Sequence, residues 1–338
     1  MSGQAETFVV VNYNAARARA AWVRAQNVLV ARGVRFEVHE AKEAGDAQSA
    51  ARTALIAGYR TIAVVGGDGT LGEVVTGFFE RDNARNSTAT TTTPAPINKE
   101  AALAVLPAGT GNDFARGLEG SRASLDSWLE RLIKHSRRDD NATTHAALDA
   151  TTRAVDVLHG TIGTDARTFF CLNAATLGIG AEVAARVSSQ GALVRRLPGE
   201  ARFAFAAAQA LARWRARRVS VQVDDAEAFE CETNLVAIAN SPYAGGGMMF
   251  SPDARTDDGL LDVVTACQLT RRSLMREMTR IHSGGHVKNP RVEIRRGARV
   301  RIEHLTPTDA LAVEADGDVR GHTPLEFRVL AGALRVVC

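Results

Sequence analysis

Short β-branched runs alternate with helical periodicities through the first third of the chain. TFVVVN at residues 7–12, VRFEVHE at 34–40, TIAVVGG at 61–67 and ALAVLPAG at 102–109 read as strands. Between them the pattern predicts helices from about Ala15 to Arg32, from about Asp46 to Ala57 and from near Leu71 onward. Strand and helix in strict alternation is the signature of a parallel sheet with crossover helices. Residues 81–100, RDNARNSTATTTTPAPINKE, have almost nothing to bury and are expected to form a mobile surface insertion. A further helix, from about Ser121 to His135, runs into the polar stretch RRDDNATTHAALDATTR, which suits a domain linker.

Beyond that stretch the rhythm changes. RAVDVLHGTI, ARTFFCLNAATLG, RVSVQVDD, ECETNLVAIAN, LLDVVTA, RVEIRRGARVRIEH and EFRVL all read as strands, with few helices among them. The expected architecture is therefore an α/β N-terminal domain with a parallel sheet, residues 1–145, followed by a largely antiparallel β-sandwich, residues 146–321. No internal repeat is present.

Composition narrows the class. With 338 residues, 45% hydrophobic and 23% charged, the chain is long enough to bury two cores and too apolar to be disordered. A net charge of +3 from 41 basic and 38 acidic side chains shows no dense basic patch, so nucleic acid is not an expected partner. Cys171, Cys231, Cys267 and Cys338 are widely spaced and form no CxxC pair, suggesting neither a disulfide framework nor a zinc site. A reducing cytoplasm is the simplest setting. The N-terminus lacks a basic region ahead of an apolar stretch, which argues against a secretory signal. The longest small-and-apolar run, near Phe203 to Ala212, falls short of the roughly 20 residues needed to span a bilayer.

Two loops carry the candidate chemistry. VVGGDGTLGEVVTG sets Gly66, Gly67, Asp68, Gly69 and Thr70 between an apolar strand and a helix. Consecutive glycines let backbone N–H groups approach an anion, and the helix N-terminus adds partial positive charge, so this is a phosphate cradle. It has neither the third spaced glycine of a dinucleotide fingerprint nor the GK[ST] ending of a P-loop. Asp68 would repel a phosphate unless a cation lay between them, which predicts magnesium. The plain alternative is a tight turn with Asp as a helix cap. The second loop, LPAGTGNDFAR, supplies Gly109, Thr110, Gly111, Asn112, Asp113 and Arg116 after the next strand. Loops at the carboxyl ends of neighbouring parallel strands converge on one crevice, so both can face the same nucleotide.

These loops, in this order, resemble the catalytic domain of the diacylglycerol kinase and sphingosine kinase superfamily, particularly its bacterial lipid kinases. The likeness continues through VDVL, NAATLGIGAEV, NSPYAGGGMMFSPDARTDDGLLDVV and EADGD, and so covers nearly the whole chain. GGDGT alone is shared with NAD kinases and phosphofructokinases. An NAD kinase is the nearest alternative, and a non-catalytic nucleotide or lipid sensor is the alternative from another class.

The resemblance implies an ATP- and Mg²⁺-dependent kinase whose γ-phosphoryl acceptor is a lipid hydroxyl, diacylglycerol or a related alcohol. It implies ATP contacts from Asn12, from Gly66 to Thr70, and from Gly109, Thr110 and Asn112. It places Asp68, Asp113 and Asp156 around the catalytic magnesium, and a possible structural magnesium on Asp258 with the carbonyls of Arg255 and Leu260. Asp316 matches the general base, and Asp318 stands where relatives commonly have Glu. Carboxylates of both domains would then gather about one metal-bound triphosphate, residues 322–338 would return to the first domain, and a homodimer is implied. Without the resemblance, EADGD reads as an acidic surface β-turn. GGG at 245–247 either lines the acceptor cleft or meets a need for positive φ, and NAATLGIG reads as a strand-to-helix turn.

Two positions depart from the family pattern. Asn12 is followed by Tyr13 where relatives usually have Pro, and Ala41 stands where many carry Thr. For the membrane, residues 194–219 combine Arg195, Arg196, Arg213, Arg215, Arg217 and Arg218 with Phe203, Phe205, Leu211 and Trp214. A basic helix beside apolar side chains suits a peripheral site on the inner membrane face. An ordinary amphipathic helix with a packed Ala face fits equally.

Overall fold

The computed structural model describes residues 7–15, 17–80, 93–120, 124–137, 150–191, 194 and 199–338. It divides into two compact units, Met1–Val157 with Leu330–Cys338, and Leu158–Val329.

The first unit alternates strand and helix: β1 (Thr7–Val11), α1 (Ala18–Ala31), β2 (Phe36–Glu40), α2 (Asp46–Ile56), β3 (Thr61–Gly66), α3 (Asp68–Phe78), β4 (Ala102–Pro107), α4 (Asp113–Glu119) and α5 (Leu125–Ser136). β1 pairs in parallel with β2 and β3, and β3 with β4. Every residue of β3 and β4 is buried, because crossover helices cover such a sheet on both faces. Helix α3 starts at Asp68, three residues before the position expected from apolar spacing. A carboxylate in the first turn is favoured by the helix dipole, and that is a polar signal the hydrophobic pattern does not carry.

Of the stretch 81–100, residues 81–92 lie outside the described residues. Its end is fastened, with Phe79 bridged to Pro96 and the Ile97 N–H donating to the Phe78 carbonyl at 2.8 Å. Residues 138–149 of the expected linker also lie outside the described residues.

The second unit is antiparallel. Its strands are the end of β5 (Thr152–Ile162), β6 (Arg167–Cys171), β7 (Ala174–Gly178), β8 (Arg217–Val223), β9 (Phe229–Ala239), β10 (Tyr243–Ala244), β11 (Met248–Met249), β12 (Leu261–Cys267), β13 (Val292–Gly297), β14 (Arg299–His304), β15 (Ala312–Ala315), β16 (Asp318–His322) and the start of β17 (Leu325–Val337). Neighbours run β16, β15, β7, β9, β8, β14 and β17, with β12 and β13 branching from β9. The helices are α6 (Ile179–Ser188), α7 (Gly199–Arg213) and α8 (Arg271–Arg280). Alternation along β9 sends Val236 and Ile238 into one core with Val221, Val263 and Phe327. Ala237 and Ala239 pack on the other face with Ala206, Ala210 and Leu211 of α7, as a sheet covered on both faces requires. The far end of β17 belongs to the first unit, where Arg335 and Val336 pair in parallel with β4.

One expectation is corrected. Cys231 and Cys267 form a disulfide, although their spacing gives no sign of it. They lie 36 residues apart in sequence and on adjacent strands, β9 and β12, so the pairing exists only after the sheet forms.

The basic segment 194–219 is split between elements. Arg195 and Arg196 lie outside the described residues, α7 ends at Arg213, and Arg217 and Arg218 belong to β8, where Arg218 pairs with Glu230 at 2.9 Å. Phe205 is exposed, while Ala206, Ala207 and Ala210 of α7 are packed.

Candidate active site

The site in the first unit is built from the ends of three adjacent strands. β3 delivers Gly66 and Gly67 to the start of α3, and β4 delivers Gly109 to the turn that opens α4. The two loops touch through their glycines: a Cβ on Gly109 would stand 2.5 Å from the Gly67 Cα. Backbone would have to move to admit a side chain at Gly109, whereas a Cβ on Gly67 would make a tight approach of 3.2 Å to the Gly109 Cα. From β1, the Asn12 Nδ2 donates to the Thr70 Oγ1 at 2.9 Å and ties the third loop in.

The second loop is held by its own asparagine. The Asn112 Oδ1 accepts the Gly109 N–H at 2.9 Å, and its Nδ2 donates to the Gly109 carbonyl at 3.2 Å. Asn112 itself is left-handed, φ 51°, a conformation Asn tolerates better than most residues. Thr110 is exposed at the lip, while Asp113 is buried. The Asp68 Oδ1 accepts the Phe114 N–H at 3.2 Å, fastening the carboxylate of the first loop beside the carboxylate-bearing turn of the second. Gly66, Gly67, Asp68, Leu71, Asn112 and Ala115 are among the residues lining the resulting cleft.

Magnesium is held in phosphotransferases by one or two carboxylates together with substrate phosphates. Among the described residues no group of three or more His, Cys, Asp or Glu is gathered as a metal cage. Asp68, a hard oxygen donor lining the glycine cradle, fits an ion that arrives with a triphosphate, while Asp113 is buried at the start of α4. Asp156, on β5, accepts the Gly332 N–H at 2.7 Å.

The loop resembling a structural magnesium site is differently filled. The Asp258 Oδ2 accepts from the Arg296 Nη2 at 3.0 Å and its Oδ1 from the Leu260 N–H at 3.1 Å. Arg296 also donates through Nε to buried Asp262 at 2.7 Å and through Nη2 to the Asp253 carbonyl at 3.3 Å. Hydrogen bonding to Asp262 raises the Arg296 pKa, so the guanidinium stays charged. A guanidinium therefore neutralises Asp258 where the resemblance puts a cation. The residues present do not fit a second ion beside that guanidinium.

In the second unit Asp316 and Gly317 form the two-residue turn between β15 and β16, both with positive φ, 49° and 93°. This is the Asp-Gly hairpin turn that the sequence alone suggests. The turn does more than connect strands, because it aims the Asp316 carboxylate into the β6–β7 corner. There Oδ2 accepts the Leu172 N–H at 2.6 Å and Oδ1 accepts the Asn173 N–H at 2.9 Å. Asp318 lies just beyond and pairs with Arg320 at 3.4 Å. Burial, then the nearby Asp316 charge, pushes the Cys171 thiol pKa well up, so this cysteine stays neutral.

Sequence reasoning passed over Glu314, Thr176 and the Leu172 and Asn173 amides, whose roles depend on β15 lying beside β7. The Glu of EADGD was the one available signal. Gly245, Gly246 and Gly247 all have positive φ in the β10–β11 hairpin, which accounts for them by conformation.

A glycine-cradled α/β unit joined to an antiparallel β unit bearing a fixed turn carboxylate defines a two-domain phosphotransferase. Comparison with known proteins agrees. Residues 6–145 match the diacylglycerol kinase catalytic domain family, and residues 175–338 match the YegS C-terminal NAD kinase beta sandwich-like domain. "Probable lipid kinase YegS-like" of Pseudomonas aeruginosa PAO1 is 32% identical over 295 residues, covering 87% of this chain and 82% of that protein. "Diacylglycerol kinase" of Mycobacterium tuberculosis H37Rv is 27% identical over 303 residues, covering 87% and 82%. A crystal structure of a diacylglycerol kinase from Bacillus anthracis str. Sterne superimposes with a TM-score of 0.65 at 19% identity, covering 100% of this chain and 98% of that one, a likeness of fold alone. The chain belongs to the bacterial lipid kinase family that pairs these two domains, and it is a kinase.

Proposed function

We propose that this lipid kinase transfers the γ-phosphoryl group of ATP, with Mg²⁺, to the hydroxyl of diacylglycerol or a related lipid alcohol. The observation that supports this most is the contact of the two glycine loops with Asp68 fastened at their junction. Phosphoryl transfer asks little covalent chemistry of a protein beyond positioning and charge stabilisation. The loop amides of Gly66 to Thr70 and of Gly109, with the N-terminus of α3, bind and orient the phosphates. Asn12 holds Thr70 in place, and Asp68 and Asp113 would hold the metal. Magnesium, when bound, neutralises charge on the transferring phosphoryl group.

The acceptor hydroxyl is a poor nucleophile, and Asp316 takes its proton. Two backbone N–H groups fix the carboxylate in orientation. The acceptor resides in a membrane, and among the described residues no helix is long and apolar enough to cross one. The enzyme therefore meets its substrate at the membrane surface, in this reading on the cytoplasmic side.

Incubation with γ-labelled ATP and total lipid extract, followed by mass spectrometry of the labelled product, tests the reading. A phosphorylated lipid alcohol is expected. Label recovered in NAD phosphate, or ATP bound with no lipid labelled, would overturn it.

A further inference from the structure

Among the residues of EADGD, Glu314 has no part in the chemistry described above, yet its carboxylate is held by two hydrogen bonds. It lies two residues before Asp316 on β15, half-buried. Its Oε2 accepts the Thr176 hydroxyl of β7 at 2.6 Å, and its Oε1 accepts the Gly317 N–H in a short bond. It thus grips the turn from behind, at the residue after Asp316, and anchors it to the strand that continues from Asn173. Thr176 pairs directly opposite Glu314 across the β7–β15 register. The left-handed backbone at Asp316 thus has a fastening besides its own N–H to the Ala174 carbonyl and its carboxylate bonds to Leu172 and Asn173.

We propose that Glu314 is a positioning residue for Asp316: with Thr176 it holds the Asp316–Gly317 turn so that the Asp316 carboxylate seats on the Leu172 and Asn173 amides. The inference rests on the assignment of Asp316 as the base. The grip is strongest when Glu314 is ionised, since both of its oxygens then accept. Burial raises its pKa to about 7, with Asp316 and Asp318 adding repulsion and the Thr176 and Gly317 hydrogen bonds opposing. The thiol of neutral Cys171 on β6 feels Glu314, Asp316 and Arg320 of β16, and helix α6, which packs on β15, carries Glu182 and Arg186, paired with each other at 2.6 Å. Activity therefore rises as pH passes through about 7 while Glu314 loses its proton.

The test uses the full chain and the variants Glu314→Gln and Thr176→Val. Gln keeps one acceptor oxygen and the side-chain shape but removes the charge, and Val removes the hydroxyl at nearly constant volume. Both are expected to lower kcat by about 10- to 100-fold, as small misplacements of a reacting group do. KM for ATP and lipid should stay within about twofold, and the limb of the pH profile near 7 should vanish in Glu314→Gln. Amide NMR resonances of Leu172 and Asn173 should shift in both variants with Tm nearly unchanged. Native kcat, native pH profile and unmoved amides would overturn the proposal. The NMR arm separates this from the kinase reading: if the unaltered protein labels no lipid, that reading fails, while moved or unmoved amides still decide whether Glu314 positions Asp316.

Discussion

Gly67 and Gly109 meet backbone to backbone, so closely that a methyl group on Gly109 would fall 2.5 Å from the Gly67 Cα. The contact joins loops 42 positions apart in numbering and makes one cradle of two glycine motifs.

Gly109→Ala must push the loops apart. The cost is roughly 1–3 kcal/mol, and nucleotide affinity should fall about tenfold or more. Gly69 is the control, because a Cβ there meets nothing within 4 Å. Gly69→Ala should keep its melting temperature. Thermal melts together with ATP titration read both outcomes, and equal melting temperatures for the two variants would refute the contact's importance.

Asp316→Asn should bind ATP with near-native affinity and lose about 10²–10⁴-fold in turnover, the usual contribution of a general base. An amide offers one acceptor oxygen to the two N–H groups of Leu172 and Asn173, so a stability loss of about 1–3 kcal/mol is expected as well. Turnover within about threefold of native would exclude Asp316 as the base.

Glu314 also gives the folded protein a pH signature. With a folded pKa of about 7 against an ordinary 4.5, it keeps a proton that the unfolded chain has released between those values. Its contribution is full below about 4.5 and is lost as pH rises through 7, on the order of a few kcal/mol. Denaturant unfolding across this window should show the decline in native protein and its loss in Glu314→Gln. Parallel stability curves for the two would sink this account.

Reducing the Cys231–Cys267 bond frees a loop spanning 36 positions between β9 and β12. Chain-entropy arguments put the loss at roughly 2–4 kcal/mol. Chemical unfolding with and without reductant measures it, and unchanged midpoints would show that the sheet alone holds these strands.

The alternation of β-branched runs with helical spacing determined a parallel sheet with crossover helices in the first unit, while the order of its strands came only from the fold. Strand runs after residue 152 likewise determined an antiparallel second unit, because each element's pattern depends on neighbours close in sequence. GGDGT and GTGND, each set between a strand and a helix, marked the two loops whose glycines meet. What sequence could not decide was partnership across distance. Asp258, which the resemblance makes a metal ligand, meets Arg296, 38 positions away, as a counter-ion that no local pattern shows. EADGD reads as a surface turn until β15 lies against β7 and brings Thr176 to Glu314 and the Leu172 and Asn173 amides to Asp316. Cys231 and Cys267 become partners only as β9 and β12 pair. Local backbone preference and burial are written in short windows of residues, whereas electrostatic and hydrogen-bond complementarity is a property of surfaces that exist only once the chain has folded.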